Sequence, residues 1–175
     1  SPLQERVEDE IFGLLETVIA EDFPFLGACY GIGTLGTHSG AVVDKLYAEP
    51  VGAIDVVLTP EGSVDPLFDG VPSQFFAYGG HKEAISQLPQ EAVQLATSAS
   101  CPVQAFRLGE RVYATQFHPE LDHAGLSTRI GVYRNAGYFP PSEADALIDA
   151  AGQVSVEHPM RLLRNFVALA SQATR

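Results

Sequence analysis

One stretch constrains the fold more than any other, a short apolar run that leads into Gly27-Ala-Cys29-Tyr-Gly31. The run over Phe23–Ala28 predicts a strand, and the small residues after it predict a short helix. A nucleophile held on a sharp strand-to-helix turn needs small neighbours two positions to either side, because the backbone there is strained and crowded. Glycines occupy both of those positions around Cys29. The pattern therefore predicts a nucleophile elbow that carries a thiol.

A buried structural cysteine is the alternative interpretation of Cys29, and for an isolated cysteine it would be the better one. The two glycines after an apolar strand favour the functional interpretation. At the N-terminal end of the following helix, the partial positive charge of the amides would stabilise a thiolate. The amide of Tyr30, directly after the nucleophile, is the natural donor to an oxyanion.

Length and composition predict one ordered globular domain over residues 1–175, with 46% apolar and 18% charged residues. The formal net charge of −12 argues against nucleic acid or an anionic membrane as a partner, since both require a basic face. Two cysteines do not make a disulfide framework, and neither a membrane-span pattern nor a signal-peptide pattern is found. A cytoplasmic, reducing location is the expectation.

The second half of the predicted site is His118-Pro-Glu120, which follows a predicted strand over Arg111–Phe117. Catalytic groups of α/β sheets gather at strand ends, and two residues along an extended segment return a side chain to the same side. Glu120 can therefore reach one ring nitrogen of His118 and fix its tautomer. A surface turn is the alternative for this tripeptide alone, but together with Cys29 it predicts a nucleophile, base and orienting carboxylate.

Other residues give weaker signals. His81 stands next to two glycines, and a tight turn and a site contact are equally good interpretations of it. No histidine, cysteine or acidic residues show metal-ligand spacing along the chain, and the glycine pattern at positions 31–36 lacks the context of a dinucleotide site. We therefore expect no metal and no cofactor.

The remaining periodicity predicts an α/β domain with an added antiparallel segment. The predicted helices cover residues 1–20, 124–136, 142–151 and 158–173, and the predicted strands cover 41–46, 52–59, 74–78, 94–98, 103–108 and 111–117.

The two motifs, Gly27-Ala-Cys29-Tyr-Gly31 and Gln116-Phe-His-Pro-Glu120, together resemble the class I (triad-type) glutamine amidotransferase family. The similarity extends over most of the chain. It includes Glu49-Pro-Val-Gly52, Asp65-Pro-Leu-Phe68 and His81-Lys-Glu83. Within the family, the chain is similar to stand-alone domains like the amidotransferase part of GMP synthase.

The resemblance implies an open, mostly parallel, flavodoxin-like sheet flanked by helices. It implies hydrolysis of the side-chain amide of glutamine through a γ-glutamyl thioester on Cys29, with His118 as acid and base and Glu120 holding it. The ammonia would pass to an unknown acceptor, with a synthetase as a possible partner. The implied oxyanion donor is the amide of Tyr30, and the implied contacts to the amino-acid end of the substrate come from Tyr78, Gly79 and His81.

Two departures from the family pattern leave alternatives open. Gly33 stands where most relatives have a glutamine that contacts the substrate, so a wider pocket would suit a γ-glutamyl peptide or another amide. The strand-helix-strand unit that precedes the elbow in the family is not found before Ser1, and we expect that it is missing from this sequence. The alternatives to a glutaminase are a γ-glutamyl peptide hydrolase and a catalytically idle binding or regulatory subunit.

Overall fold

The structure is a computed structural model that describes residues 2–172, without the side chains of residues 2–6, 8 and 9. Its α-helices are α1 (Pro2–Ala20), α2 (Tyr30–His38), α3 (Pro60–Val64), α4 (His123–Tyr133), α5 (Ala144–Ala151) and α6 (Pro159–Gln172). Its strands are β1 (Phe25–Ala28), β2 (Val42–Asp44), β3 (Glu49–Leu58), β4 (Gln74–His81), β5 (Ala84–Gln87), β6 (Val93–Thr97), β7 (Ala105–Leu108) and β8 (Val112–Thr115). Short 3-10 helices cover Pro66–Phe68 and Pro141–Glu143. Across residues 2–172, no helix has the length and apolar character needed to cross a bilayer.

The main sheet has six strands in the order β1-β8-β7-β6-β3-β4, and β2 and β5 form a separate two-stranded sheet. This arrangement confirms the α/β fold with flanking helices and an antiparallel segment. The expectation of a mostly parallel sheet is wrong, because only β1 and β8 pair in parallel among the described strands. The short turn between β7 and β8 permits only antiparallel pairing, whereas a parallel pair such as β1 and β8 needs a long crossover connection.

Apolar side chains cover both faces of the main sheet. On one face, α1 and α2 pack against β7 and β8 through side chains that include Leu15, Leu35 and Phe106. On the other face, α6 and the first 3-10 helix pack through side chains that include Leu67, Phe117 and Leu162. The strand residues alternate between the two faces, as the two-residue repeat of a strand requires.

The predicted helices over 1–20, 124–136, 142–151 and 158–173 correspond to α1, α4, α5 and α6 with shifts at their ends. Two elements were not predicted, the short helix α3 and the strand β5. Helix α3 begins after Thr59, whose hydroxyl accepts a hydrogen bond from the Gly62 amide at 2.9 Å. Strand β5 pairs with β2 rather than with the main sheet, and that pairing is a long-range contact that no local pattern reveals.

Candidate active site

Cys29 lies at the junction of β1 and α2 with φ +52° and ψ −94°. A positive φ is unfavourable for any residue other than glycine, so this backbone is strained. The surrounding backbone holds it in place: the Cys29 amide donates to the Thr115 carbonyl at 2.8 Å, and the Cys29 carbonyl accepts from the Ile32 amide at 3.1 Å. The strained strand-to-helix turn predicted from the sequence is present.

The two glycines of the elbow contribute unequally. A Cβ atom added at Gly27 would lie 3.1 Å from the Gly31 Cα and 3.0 Å from the Phe25 ring, closer than ordinary packing allows. A Cβ added at Gly31 would meet nothing within 4 Å. The crowding that the motif predicts therefore exists, and Gly27 is the position that relieves it.

The parallel pairing of β1 with β8 brings the two halves of the predicted site together. Ala28 pairs with Thr115, so the residues that follow both strands lie at the same edge of the sheet. The Thr115 hydroxyl donates to the Phe117 carbonyl at 2.9 Å, and the His118 amide donates to the Tyr78 carbonyl at 2.8 Å. These bonds fix the backbone that carries His118 beside the elbow.

His118 donates its Nδ1 hydrogen to Oε1 of Glu120 over 2.7 Å. Its other ring nitrogen, Nε2, is buried and makes no hydrogen bond of normal geometry within the described residues. Burial disfavours the charged ring, but the neighbouring Cys29 thiol and the Glu120 carboxylate outweigh it and raise the pKa of His118 from 6.5 to about 9. Partial burial alone would raise the pKa of Glu120, but the hydrogen bond with His118 holds this pKa below its ordinary value.

A cavity of about 570 Å³ opens at this edge of the sheet. Its lining includes five residues proposed from the sequence, namely Cys29, Tyr30, Gly33, His81 and His118. A Cβ added at Gly33 would meet nothing within 4 Å, so the space beside it is open. The pocket wider than that of relatives, expected from Gly33, stays a prediction.

Tyr78 and Gly79 are placed differently, since neither lines that cavity. The Tyr78 hydroxyl donates to the Ala151 carbonyl at 2.9 Å, and its own carbonyl is the acceptor for His118. Gly80 does line the cavity, with φ +150° and with Val51 Cα only 2.7 Å from an added Cβ. Gly80 lies inside the segment Tyr78-Gly-Gly-His81 that the resemblance implies for backbone contacts to the substrate, although it was not singled out. The substrate contacts of Tyr78 and Gly79 stay predictions.

His81 belongs to a buried cluster that we define as Glu49, His81 and Cys101, whose candidate ligand atoms all lie within 4.8 Å of one another. Spacing along the chain could not show this cluster, because its members come from distant segments. The His81 Nε2 atom lies 2.8 Å from the Glu49 carboxylate, and Nδ1 lies 3.0 Å from the Glu83 carbonyl. Each ring nitrogen thus faces an acceptor within the protein.

Hydrogen bonds stabilise the charged form of Glu49 in this buried cluster. Burial would raise the pKa of Glu49, but hydrogen bonds, led by the one from His81, lower it. The Glu49 carboxylate also accepts from Ser98, Ser100 and Gln104. Burial raises the pKa of the Cys101 thiol to about 11. The negative charge of Glu49 is therefore stabilised by hydrogen bonds from within the protein.

Three cations were also missed as parts of the cavity lining: Lys45, Lys82 and Arg129. The sequence contains two lysines, Lys45 and Lys82, and this scarcity was a signal that could have drawn attention to them. Arg129 lies on α4, and its charge contributes to the lowered pKa of Glu120.

The fold and the edge of the sheet together define an α/β domain with a cysteine elbow beside a histidine–carboxylate pair. Comparison with known families identifies the particular class: the model for the glutamine amidotransferase class-I family matches residues 5–130. The chain belongs to this family.

Two relatives, both described as subunits of a glutamine-hydrolyzing GMP synthase, agree with this family assignment. The chain is 36% identical over 103 residues to a GMP synthase (glutamine-hydrolyzing) subunit from Thermoplasma acidophilum, covering 58% of this chain and 50% of that protein. It is 31% identical over 123 residues to the corresponding GMP synthase subunit from Thermoplasma volcanium, covering 70% and 59%. The chain thus spans about half the length of these relatives.

A solved glutamine amidotransferase from Thermotoga maritima superposes with a TM-score of 0.76 at 23% identity, covering 93% of this chain and 68% of that one. A glutamine amidotransferase from Methylobacillus flagellatus gives a TM-score of 0.64 at 18% identity, covering 91% and 64%. At these identities the likeness concerns the fold.

Proposed function

We propose that this chain hydrolyses the side-chain amide of glutamine to glutamate and ammonia, with Cys29, His118 and Glu120 as its catalytic triad. One observation carries the proposal. The strained turn at Cys29 and the end of β8 meet at one edge of the sheet. The ring of His118 interacts with the Cys29 thiol, and its Nε2 atom is buried.

The first half of the reaction forms a thioester. The Cys29 thiolate attacks the amide carbon, and the developing oxyanion accepts a hydrogen bond from the amide of Tyr30, the first residue of α2. His118, charged at neutral pH because its pKa is about 9, gives its Nε2 proton to the departing nitrogen. The carbon–nitrogen bond breaks, ammonia leaves, and a γ-glutamyl thioester remains on Cys29.

The second half hydrolyses that thioester. Neutral His118 removes a proton from water at Nε2, and the resulting hydroxide attacks the thioester carbon. Glutamate leaves, and the thiolate–imidazolium pair returns. Glu120 holds the Nδ1 hydrogen throughout, so that Nε2 presents its lone pair to water in this step.

The ammonia would be passed to an acceptor on a synthetase partner. The support for this part is the description of the two Thermoplasma relatives as individual subunits of a glutamine-hydrolyzing GMP synthase. The identity of the acceptor is open within this proposal.

A γ-glutamyl peptide hydrolase is the second candidate. The open space beside Gly33 favours it, because a cavity of about 570 Å³ falls in the range that accommodates ligands larger than one amino acid. An idle subunit is less well supported, since a strained cysteine costs on the order of 1–3 kcal/mol that a binding surface has no reason to retain.

The test is release of glutamate from glutamine by the full-length protein, measured with and without a candidate synthetase subunit. Cys29→Ala should reduce kcat by about 10⁴-fold or more, as loss of a nucleophile does in other triads. Cys101→Ala makes the same chemical change away from the cavity and should keep most of the activity. Activity that survives in Cys29→Ala would refute the proposed nucleophile.

A further inference from the structure

Both lysines of the sequence, Lys45 and Lys82, line the cavity that contains Cys29. The chain carries a formal net charge of −12, so cations are scarce and their collection at one cavity is informative. Arg129 lines the same cavity, and Glu83 is the acidic residue in the lining. The site therefore combines a positive local charge with a strongly acidic protein, and such a site attracts anions.

The small two-stranded sheet brings the two lysines together. Lys45 directly follows β2, and Lys82 lies between β4 and β5. Because β2 and β5 are antiparallel with Asp44 paired to Ala84, the residues after β2 and before β5 share one end of this sheet. That end faces the cavity.

The two lysines differ in how firmly they are held. Lys82 donates from Nζ to the Gly137 carbonyl at 3.2 Å, and Nζ lies 4.8 Å from the centre of the Tyr138 ring. Lys45 makes no hydrogen bond or ion pair with the described part of the chain. One ammonium is therefore positioned in advance, and the other can move onto a ligand.

Arg129 already has a different role in this geometry. Its guanidinium lies 5.6 Å from the centre of the Tyr133 ring, and its charge acts on Glu120. The charges of the two lysines are available to the substrate.

We propose that Lys45 and Lys82 bind a second anionic group of the substrate, carried on the amine side of the bond that Cys29 breaks. The substrate class is a γ-glutamyl compound whose amine portion bears a carboxylate, such as a γ-glutamyl amino acid. The open space beside Gly33 and the size of the cavity accommodate that portion. This inference rests on the proposed catalytic function of Cys29.

The chemistry balances without a further reactant. Cys29 attacks the γ-carbonyl carbon, the carbon–nitrogen bond breaks, and His118 gives its proton to the departing amine. Water then releases glutamate, so the products are glutamate and a free amino acid. In this reaction the leaving group is a carboxylate-bearing amine instead of ammonia.

The experiment compares kcat/KM of the full-length protein for γ-glutamylglycine and for its neutral C-terminal amide. The wild-type protein should prefer the acid by about 10-fold at low ionic strength, because each partly exposed ion pair contributes up to about 5-fold. Added salt should reduce this preference. Lys45→Met and Lys82→Met should each lower the acid-to-amide ratio by about threefold, and the double variant should bring it near one.

Arg164→Met is the matched control, because Arg164 is an exposed cation on α6 outside the lining of this cavity. It should leave the acid-to-amide ratio unchanged. A wild-type ratio near one, or a ratio that the lysine substitutions do not alter, would overturn the proposal. Equal slowing of the acid and the amide would also overturn it, by showing that the lysines bind the α-carboxylate that both compounds share.

Glutamine separates this proposal from the one on which it rests. Turnover of glutamine without turnover of either γ-glutamyl compound would overturn the substrate class and leave the triad intact. Failure with all three substrates, together with a Cys29 that a glutamine-analogue electrophile does not label, would instead reject the proposed function.

Discussion

The chain contains two sets of one cysteine, one histidine and one glutamate, and the fold treats them in opposite ways. Cys29, His118 and Glu120 meet at the edge of the main sheet. In the buried cluster of Glu49, His81 and Cys101, His81 reaches the lining of the cavity, whereas Glu49 and Cys101 do not. The same three residue types thus produce one accessible site and one internal hydrogen-bonded support, so their identity alone does not decide their chemistry.

The difference lies in backbone strain and in hydrogen-bonding capacity. Cys29 has a positive φ, and His118 keeps Nε2 without a normal hydrogen bond within the described residues. The side chain of Glu120 is 46% exposed, so part of its carboxylate stays in contact with solvent. In the buried cluster, both ring nitrogens of His81 and both oxygens of Glu49 are engaged. A reactive site requires an atom that is still able to form a hydrogen bond. Of these two sets, the first contains such an atom, Nε2 of His118.

The sharpest test of this comparison is thiol reactivity in the folded protein. Iodoacetamide should alkylate Cys29 on the order of 1000-fold faster than Cys101 at pH 8, because Cys101 is buried with a pKa of about 11 and is almost entirely protonated. Mass spectrometry of the digested protein measures both rates. Cys29→Ala is the control for assignment, and similar rates at the two thiols would break the comparison.

The next test exchanges the two carboxylates for amides. Glu49→Gln should lower the free energy of unfolding by about 3 kcal/mol, because it disrupts a buried charged network. Glu120→Gln should cost less than about 1 kcal/mol, because this carboxylate is half exposed. Its main effect should be a fall in kcat of about 10- to 100-fold, since a general base loses its orienting group.

Urea denaturation and glutaminase assays of both variants measure these effects. A large loss of stability in Glu120→Gln with unchanged kcat would reverse the roles that we assign to the two carboxylates.

The smallest expected effect concerns pH. The pKa of His118 is raised from 6.5 to about 9, so its favourable interactions stabilise the folded protein fully below pH 6.5. That contribution is lost as the pH rises through about 9. Cys29→Ala removes one of the interactions that raise the pKa of His118, so this pKa should fall, as NMR titration of the ring would show. Cys101→Ala is the matched control, and an identical fall there would contradict the assignment.

Local motifs made the first set predictable from sequence. The elbow requires small residues two positions from Cys29, and an extended chain returns Glu120 to the side of His118, so both signals lie within five residues. The substrate contacts of Tyr78 and Gly79 stay predictions. Gly80 and His81 line the cavity, whereas the Tyr78 hydroxyl donates to the Ala151 carbonyl.

Contacts between distant segments could not be predicted in this way. Residues 49, 81 and 101 show no common spacing, and their convergence depends on the pairing of β3 with β4 and on the loop after β6. The direction of strand pairing was equally hidden outside the hairpin of β7 and β8, whose short connection predicts antiparallel pairing. The resemblance implied a mostly parallel sheet, but pairing directions depend on connections between strands, which hydrophobic alternation does not record.

The parallel pair of β1 and β8 has a kinetic consequence. Phe25 pairs with Val112, so this contact closes a very long loop of chain, and such contacts form late in folding. The hairpin of β7 and β8 is local and can form early. We therefore expect the thiol of Cys29 to stay unactivated in partly folded chains and during synthesis until β8 has emerged and paired. A chain that stalls before this step would carry an ordinary cysteine.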